Sequence, residues 1–283
     1  MYKIGWFSTG RGQGSLNLLN AIVAAIANKK IHAEIAYVFC SRELGDAEGS
    51  DAYIRQVQAY GIPLVCFSSK SFQPEVRRHG KENPQLLEQW RAAYDREVMA
   101  RIAAFHTDLI VLAGYMLIVS PEMCRHYHMI NLHPAAPGGP AGTWQEVIWE
   151  LIEKRADYSG NMMHLVIEEL DRGPAVTYST FPLRGAEFDP LWVDLDAKLQ
   201  HKTLTDIKRE ESEHFPLFAK IRKEGARREI PLVVQTVKAF SEGRIRLENR
   251  KIITAAGSIL TTPYCLTEEI EQELLVQERL QTE

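Results

Sequence analysis

The 283-residue chain predicts an α/β fold in which a mostly parallel sheet is covered by helices on both faces. Three observations carry that expectation. Short apolar runs alternate with amphipathic stretches through the first half, the spacing of strand, helix and strand units. Runs such as Leu109-Ile110-Val111-Leu112-Ala113 are apolar throughout, as strands buried on both faces are. Beyond Arg184 the chain turns to charged helical segments and a hairpin-like pair, a C-terminal elaboration of one domain over 1–283 whose catalytic core spans 1–184.

Each element has its own signal. Residues 2–7 read as a strand, 16–28 as a helix, 33–40 as a strand, and 51–60 as a helix ended by Gly61. A strand follows at 63–67, a long helix at 84–105 with proline at its first position, a buried strand at 108–113 and a short one at 129–132. After a loop rich in proline and glycine, 134–142, a helix is expected at 144–154. Strands rich in apolar and β-branched residues follow at 161–167 and 175–181. In the last third, 198–211 and 235–241 look helical, and 244–247 with 251–254 form a terminal hairpin.

Composition excludes several classes. A hydrophobic content of 45% suits a sizeable core, and no apolar run approaches the roughly 20 residues that cross a bilayer, so a cytoplasmic protein is expected. Cys40, Cys66, Cys124 and Cys265 form no C-x-x-C pair; Cys40 and Cys66 lie inside apolar runs, as reduced core thiols do. A net charge of -4 gives no reason to expect a nucleic-acid binder. Residues 198–251 carry 14 Lys/Arg against 8 Asp/Glu, but the signs interleave as on a solvated helix face.

The chemistry centres on Asn131-Leu132-His133-Pro134. Side chains two apart on a strand project to one face, and this strand runs out into the Pro/Gly loop, where open parallel sheets receive ligands. A buried histidine satisfied by asparagine would look the same. Asp171, in a polar turn between two expected strands, favours function, since an Asp beside His orients the ring and supports an oxyanion. An amide donor, an imidazole and a carboxylate suffice to move an acyl group without a covalent enzyme intermediate.

Other stretches add a ligand surface. Thr9-Gly10-Arg11-Gly12-Gln13-Gly14-Ser15 joins the first strand to the first helix, so backbone amides there suit a phosphate. The dinucleotide spacing G-x-G-x-x-G is absent, and the second strand ends in Cys40-Ser41-Arg42, with no acidic residue for a ribose; Arg42 leaves NADP as an alternative. Gly114 to Ser120 continues a buried strand into an apolar loop, suited either to core packing or to the wall of a pocket for a flat heteroaromatic ligand. His126-Tyr127-His128 is expected at a helix end rather than on a metal, and His164 in a strand near the site. No metal is expected.

Taken together, the motifs resemble the folate-dependent formyltransferases. The resemblance runs from the first strand to about Arg184 and is carried by Tyr94-Asp95-Arg96-Glu97, Val111-Leu112-Ala113-Gly114-Tyr115-Met116, Ile130-Asn131-Leu132-His133-Pro134 and Glu169-Leu170-Asp171-Arg172-Gly173-Pro174. It implies a Rossmann-like formyltransferase fold and transfer of a formyl group from 10-formyltetrahydrofolate to the primary amine of glycinamide ribonucleotide, a step of purine synthesis. It implies catalysis by Asn131, His133 and Asp171, and substrate phosphate at Gly12, Gly14, Ser15 and Asn17. The folate would lie against Met116, Leu117, Ile118 and Val119 and the turn Ile167, Glu168, Glu169 and Leu170. Glu211, in Glu211-Ser212-Glu213-His214-Phe215-Pro216, resembles a substrate contact. Small-molecule partners are implied, for a monomer or homodimer.

The departures touch the acceptor side. Gly14-Ser15-Leu16-Asn17 is one residue longer than the family's phosphate loop, Pro134-Ala135-Ala136-Pro137 replaces its usual stretch after the histidine, and Leu117 stands where an arginine is common. An amino sugar nucleotide or methionyl-tRNA is therefore the competing acceptor.

Overall fold

The computed structural model describes residues 1–282, with the side chains described through residue 280. In chain order the elements begin β1 (Tyr2–Ser8), α1 (Gln13–Ala27), β2 (Ala33–Cys40), α2 (Glu48–Ala59), β3 (Leu64–Cys66), α3 (Pro74–His79), α4 (Pro84–Ile102) and β4 (Leu109–Leu112). They continue with α5 (Pro121–His126), β5 (Met129–His133), α6 (Trp144–Glu153), β6 (Tyr158–Leu165), β7 (Ala175–Pro182), α7 (Asp189–Leu199) and α8 (Leu204–Glu210). The last are α9 (Pro216–Ser241), β8 (Ile245–Glu248), β9 (Lys251–Thr254), β10 (Tyr264–Cys265) and α10 (Thr267–Thr282). No helix among the described residues is long and apolar enough to cross a membrane.

The chain divides into two compact, interleaved units. The first takes Met1–Leu132, His164–Pro174 and Thr236–Leu260; the second takes His133–Met163, Ala175–Gln235 and the residues from Thr261 on.

In the first unit five strands lie in the order β5-β4-β1-β2-β3, with every neighbouring pair parallel. This is the alternation that the apolar runs predict. Helix α4 shows why the sequence folds so. Asn83 caps its start by accepting from the Leu86 amide, Pro84 sets the first turn, and Trp90, Tyr94, Val98 and Ile102 recur at one helical face. That face buries against Phe7, Phe39, Ile110 and Leu112 of the strands. The Trp90 and Tyr94 rings stack 5.3 Å apart. The hairpin of β8 and β9 is antiparallel, as expected.

The second unit holds β6, β7 and β10, with β7 and β10 parallel. Its core joins Val147 and Trp149 of α6 to Phe181, Trp192, Phe215 and Phe218. Helix α6 begins with a capping box, Thr143 accepting from the Glu146 amide while Glu146 accepts from the Thr143 amide.

The C-terminal third corrects the sequence reading. The helix expected over 198–211 is two helices: α7 ends at Leu199, and Thr203 and Asp206 form a new capping box that starts α8. The helix expected over 235–241 is only the end of α9, which runs 26 residues with Pro231 inside it. A mid-helix proline normally stops a helix, and that rule hid residues 216–234. Helix α10 was not anticipated; its Arg228 and Arg227 partners on α9, Glu271 and Glu278, lie too far away in sequence for periodicity to reveal.

Candidate active site

Strand β5 carries both Asn131 and His133 at its carboxyl end. Next to it runs the segment after β6, tied on when the Val166 amide donates to the Met129 carbonyl at 2.8 Å. The turn then returns, with the Leu165 amide donating to the Pro174 carbonyl and the Arg172 amide to the Glu169 carbonyl. Gly173 cannot be larger here, because a Cβ would collide with the Leu165 carbonyl. Asp171 holds φ at +54°, a left-handed conformation that Asp tolerates better than most residues.

This turn puts Asp171 beside His164, which the sequence placed only near the site. His164 is 2% exposed, and its Nε2 lies 3.5 Å from Asp171 Oδ1 and 3.3 Å from Asn131 Nδ2. Its Nδ1 lies 3.1 Å from the Leu165 carbonyl, so Nδ1 must carry hydrogen. A neutral ring then accepts from the Asn131 amide through Nε2. A charged ring donates there instead, to the carboxylate. One proton at His164 thus decides whether Asn131 or Asp171 is its partner. Two of the three expected catalytic residues are joined through a histidine that no spacing rule singles out.

His133 opens the second unit. It is 3% exposed, and its Nε2 meets the Pro140 carbonyl at 2.9 Å, so the altered loop after the histidine fixes the ring directly.

The segments expected to hold a folate are built as a pair within the first unit. Helix α5 separates them, and the Cys124 thiol donates to the Ile167 carbonyl at 3.4 Å and to Val119 at 3.9 Å. Ser120 caps α5, and its own amide donates to Asp95, a buried carboxylate on α4. Burial raises the Asp95 pKa to about 6 against the opposing hydrogen bonds from Ser120. Arg125 pairs with Glu168 across the same boundary. Met116 and Leu170, one from each segment, are both 56% exposed, so large apolar side chains stand uncovered where a flat ligand is expected.

The glycine loop differs from the expected one. Helix α1 begins at Gln13, so Gly14, Ser15 and Asn17 sit in its first turns rather than in a loop. Gly12 is the N-cap, with no side-chain cap and no acidic residue in the first turn, which leaves the leading amides and their partial positive charge available to an anion. Asn17 accepts from Gln13 Nε2, and Ser15 is buried beside Gly114, whose φ is +70° and whose lack of a Cβ leaves room for the Ser15 hydroxyl. The Met116 amide donates to Thr9 Oγ1 at 2.9 Å, tying the glycine loop to the donor segment.

Glu211 has a plainer role in view: its Oε1 accepts from Lys198 Nζ at 2.7 Å. His126 does end a helix, α5, and among the described residues no three His, Cys, Asp or Glu side chains gather as a metal site. Two clefts of about 710 and 430 Å³ lie elsewhere in the first unit, lined by residues such as Phe105, Tyr127, His128 and Arg250, before β4 and β5 begin. Volume and chemistry disagree. Asn131, His164 and Asp171 converge away from both clefts, gathering an amide, an imidazole and a carboxylate.

The chain belongs to the formyl transferase family: the family's description, Formyl transferase, matches residues 10–186, more than half of the chain. Among relatives, it is 26% identical over 189 residues to the phosphoribosylglycinamide formyltransferase of Escherichia coli, covering 66% of this chain and 76% of that one. It is 29% identical over 181 residues to the enzyme of the same name from Schizosaccharomyces pombe, covering 62% and 81%. The solved structure of phosphoribosylglycinamide formyltransferase from Coxiella burnetii superimposes with a TM-score of 0.61 at 18% identity, covering 93% of this chain and 98% of that one, and shows the shared fold.

Proposed function

We propose that this chain transfers the formyl group of 10-formyltetrahydrofolate to the primary amine of glycinamide ribonucleotide, in the cytoplasm, without a metal. What supports the reading most is the Asn131, His164 and Asp171 chain at the end of β5, in a member of the formyl transferase family. The neutral amine attacks the formyl carbon, and the carbonyl oxygen becomes an oxyanion in a tetrahedral intermediate. Asn131 and His133 donate hydrogen bonds to that oxyanion, where each donor lowers the barrier by roughly 3–4 kcal/mol. The attacking nitrogen loses a proton to the Asp171 carboxylate, with His164 as the carrier, and Asp171 returns that proton to the folate nitrogen as its bond to the formyl carbon breaks.

In this reading the uncovered Met116 and Leu170 flank the donor, and the amides of Gly14 and Ser15 receive the acceptor's phosphate. The C-terminal third, 185–283, serves the same domain.

The test is purified protein with the donor and a panel of amines, followed by product mass. A gain of one formyl group on glycinamide ribonucleotide is expected. Formyl on an amino sugar nucleotide or on methionyl-tRNA instead would move the acceptor, and none on any amine would overturn the reading. His133→Ala, folded as judged by circular dichroism, is expected to lose at least about a hundredfold in kcat.

A further inference from the structure

Beside the glycine loop, two arginines converge on one serine. Arg42 follows β2 and donates from Nη1 to Ser69 Oγ and, at 3.0 Å, to the Ser41 carbonyl. Arg77, in α3, donates from Nη1 to the Ser69 carbonyl at 2.7 Å, with its plane fixed 4.9 Å over the Trp90 ring. Among the described residues the Nε and Nη2 donors of both guanidiniums have no hydrogen bond, and neither arginine forms an ion pair.

Two cations drawn to one residue repel each other. Burial, and after it the charge of Arg42, lowers the Arg77 pKa from its ordinary value. The carboxylate at hand is already engaged. Asp46 accepts from Ser68 Oγ at 2.6 Å and from the Glu43 amide at 3.0 Å, and against the upward push of burial these bonds, Lys70 and Arg42 hold its pKa low.

The surroundings are built for polar contact. Thr9, Ser41, Ser68 and Ser69 are each at most 1% exposed, and they close the carboxyl ends of β1, β2 and β3. Ser41 Oγ donates to Thr9 Oγ1 at 3.0 Å, so the cluster continues directly into the glycine loop. Parallel sheets receive ligands along this edge. The buried Tyr115 hydroxyl, which has no hydrogen-bond partner, also lies within reach of the Arg42 charge. A guanidinium's remaining N–H groups form a planar fork that fits an oxyanion with two parallel hydrogen bonds.

We propose that Arg42 and Arg77, spaced by Ser69, form an oxyanion subsite that takes a phosphate-class group of an anionic ligand, separate from the amides at the start of α1. It adds a second charged group to the acceptor class given above. Direct binding tests it, so either reading can fail alone.

Inorganic pyrophosphate is the probe. In isothermal titration the wild-type protein binds it, Arg42→Gln and Arg77→Gln each weaken binding at least about tenfold, and Arg78→Gln, whose side chain is exposed and paired with Glu75, leaves it unchanged. With arginine labelled by nitrogen-15 in the wild-type protein, the Nε–H signals of Arg42 and Arg77 shift on addition of pyrophosphate. That measurement holds even where a variant fails to fold. Absence of pyrophosphate binding, binding untouched in both Gln variants, or two motionless Nε–H signals would each show that the arginines only fasten the 68–72 loop.

Discussion

Two polar regions of this protein are built on opposite plans. Along the carboxyl ends of β1 to β3 the buried polar residues are hydroxyls, Ser8, Thr9, Ser41, Ser68 and Ser69, bonded to loops and to one another, while Arg42 and Arg77 beside them form no ion pair among the described residues. Between α9 and α10 the buried charges, Glu224 and Arg228, are paired. Arg228 is 6% exposed and donates to Glu224 at 2.8 Å and to Glu271 at 2.6 Å, with Lys220 and Arg227 also on Glu224. A buried charge with its partner holds helices together, whereas a cation without one is poised for something from outside. The chain thus keeps its paired buried charges apart from the edge to which a ligand is proposed to bind.

The largest expected effect is on the ligand side. Asp171→Asn removes the charge from the end of the His164 chain, and kcat is expected to fall a hundred- to a thousandfold, roughly 3–4 kcal/mol of barrier, with the fold unchanged. A variant within tenfold of wild type would leave Asp171 with a structural role only.

On the tether side, Arg228→Met leaves Glu224 and Glu271 without their central cation and removes the guanidinium 4.6 Å over the Phe181 ring. A loss of roughly 3 kcal/mol is expected from urea unfolding, the low end for a broken buried pair because Lys220 and Arg227 remain. A loss below about 1 kcal/mol would mean that water already shares the work.

Asp95 sharpens the contrast, because it is a buried carboxylate met by an amide rather than a cation. Its pKa is about 6 in the folded protein against 3.8 ordinarily, so folding favours its protonated form. That contribution is fully present below about pH 4, falls as pH rises, and is gone above about pH 6. Asp95→Asn does not titrate. The unfolding free energy of wild type, measured by urea titration, is therefore expected to decline relative to this variant between pH 4 and pH 7, by up to about 3 kcal/mol. A constant difference across that range would refute the shift.

Much of the first unit was legible in the sequence. Fully apolar runs, Asn83-Pro84 and the glycines mark strands and helix boundaries through local rules that tertiary contacts do not override here. The start of α1 was missed because it has no capping side chain to announce it. The length of α9 was missed because Pro231 is accommodated inside it. At the candidate site, Asn131 and His133 follow from strand alternation. The link through His164 does not, since it depends on a turn that brings residue 171 back beside residue 164. Likewise nothing in Arg42 or Arg77 alone indicates Ser69, because α3 is short and partly exposed and has no apolar periodicity to reveal it.

The interleaving of the two units bears on how the molecule is made. The first unit needs residues 236–260 for completion, and the second needs residues from 261 on. During synthesis the strands of the first unit emerge well before residues 236–260, which belong to the same unit. A fragment that stops near residue 184 lacks part of both units and is expected to unfold at lower urea than the whole chain.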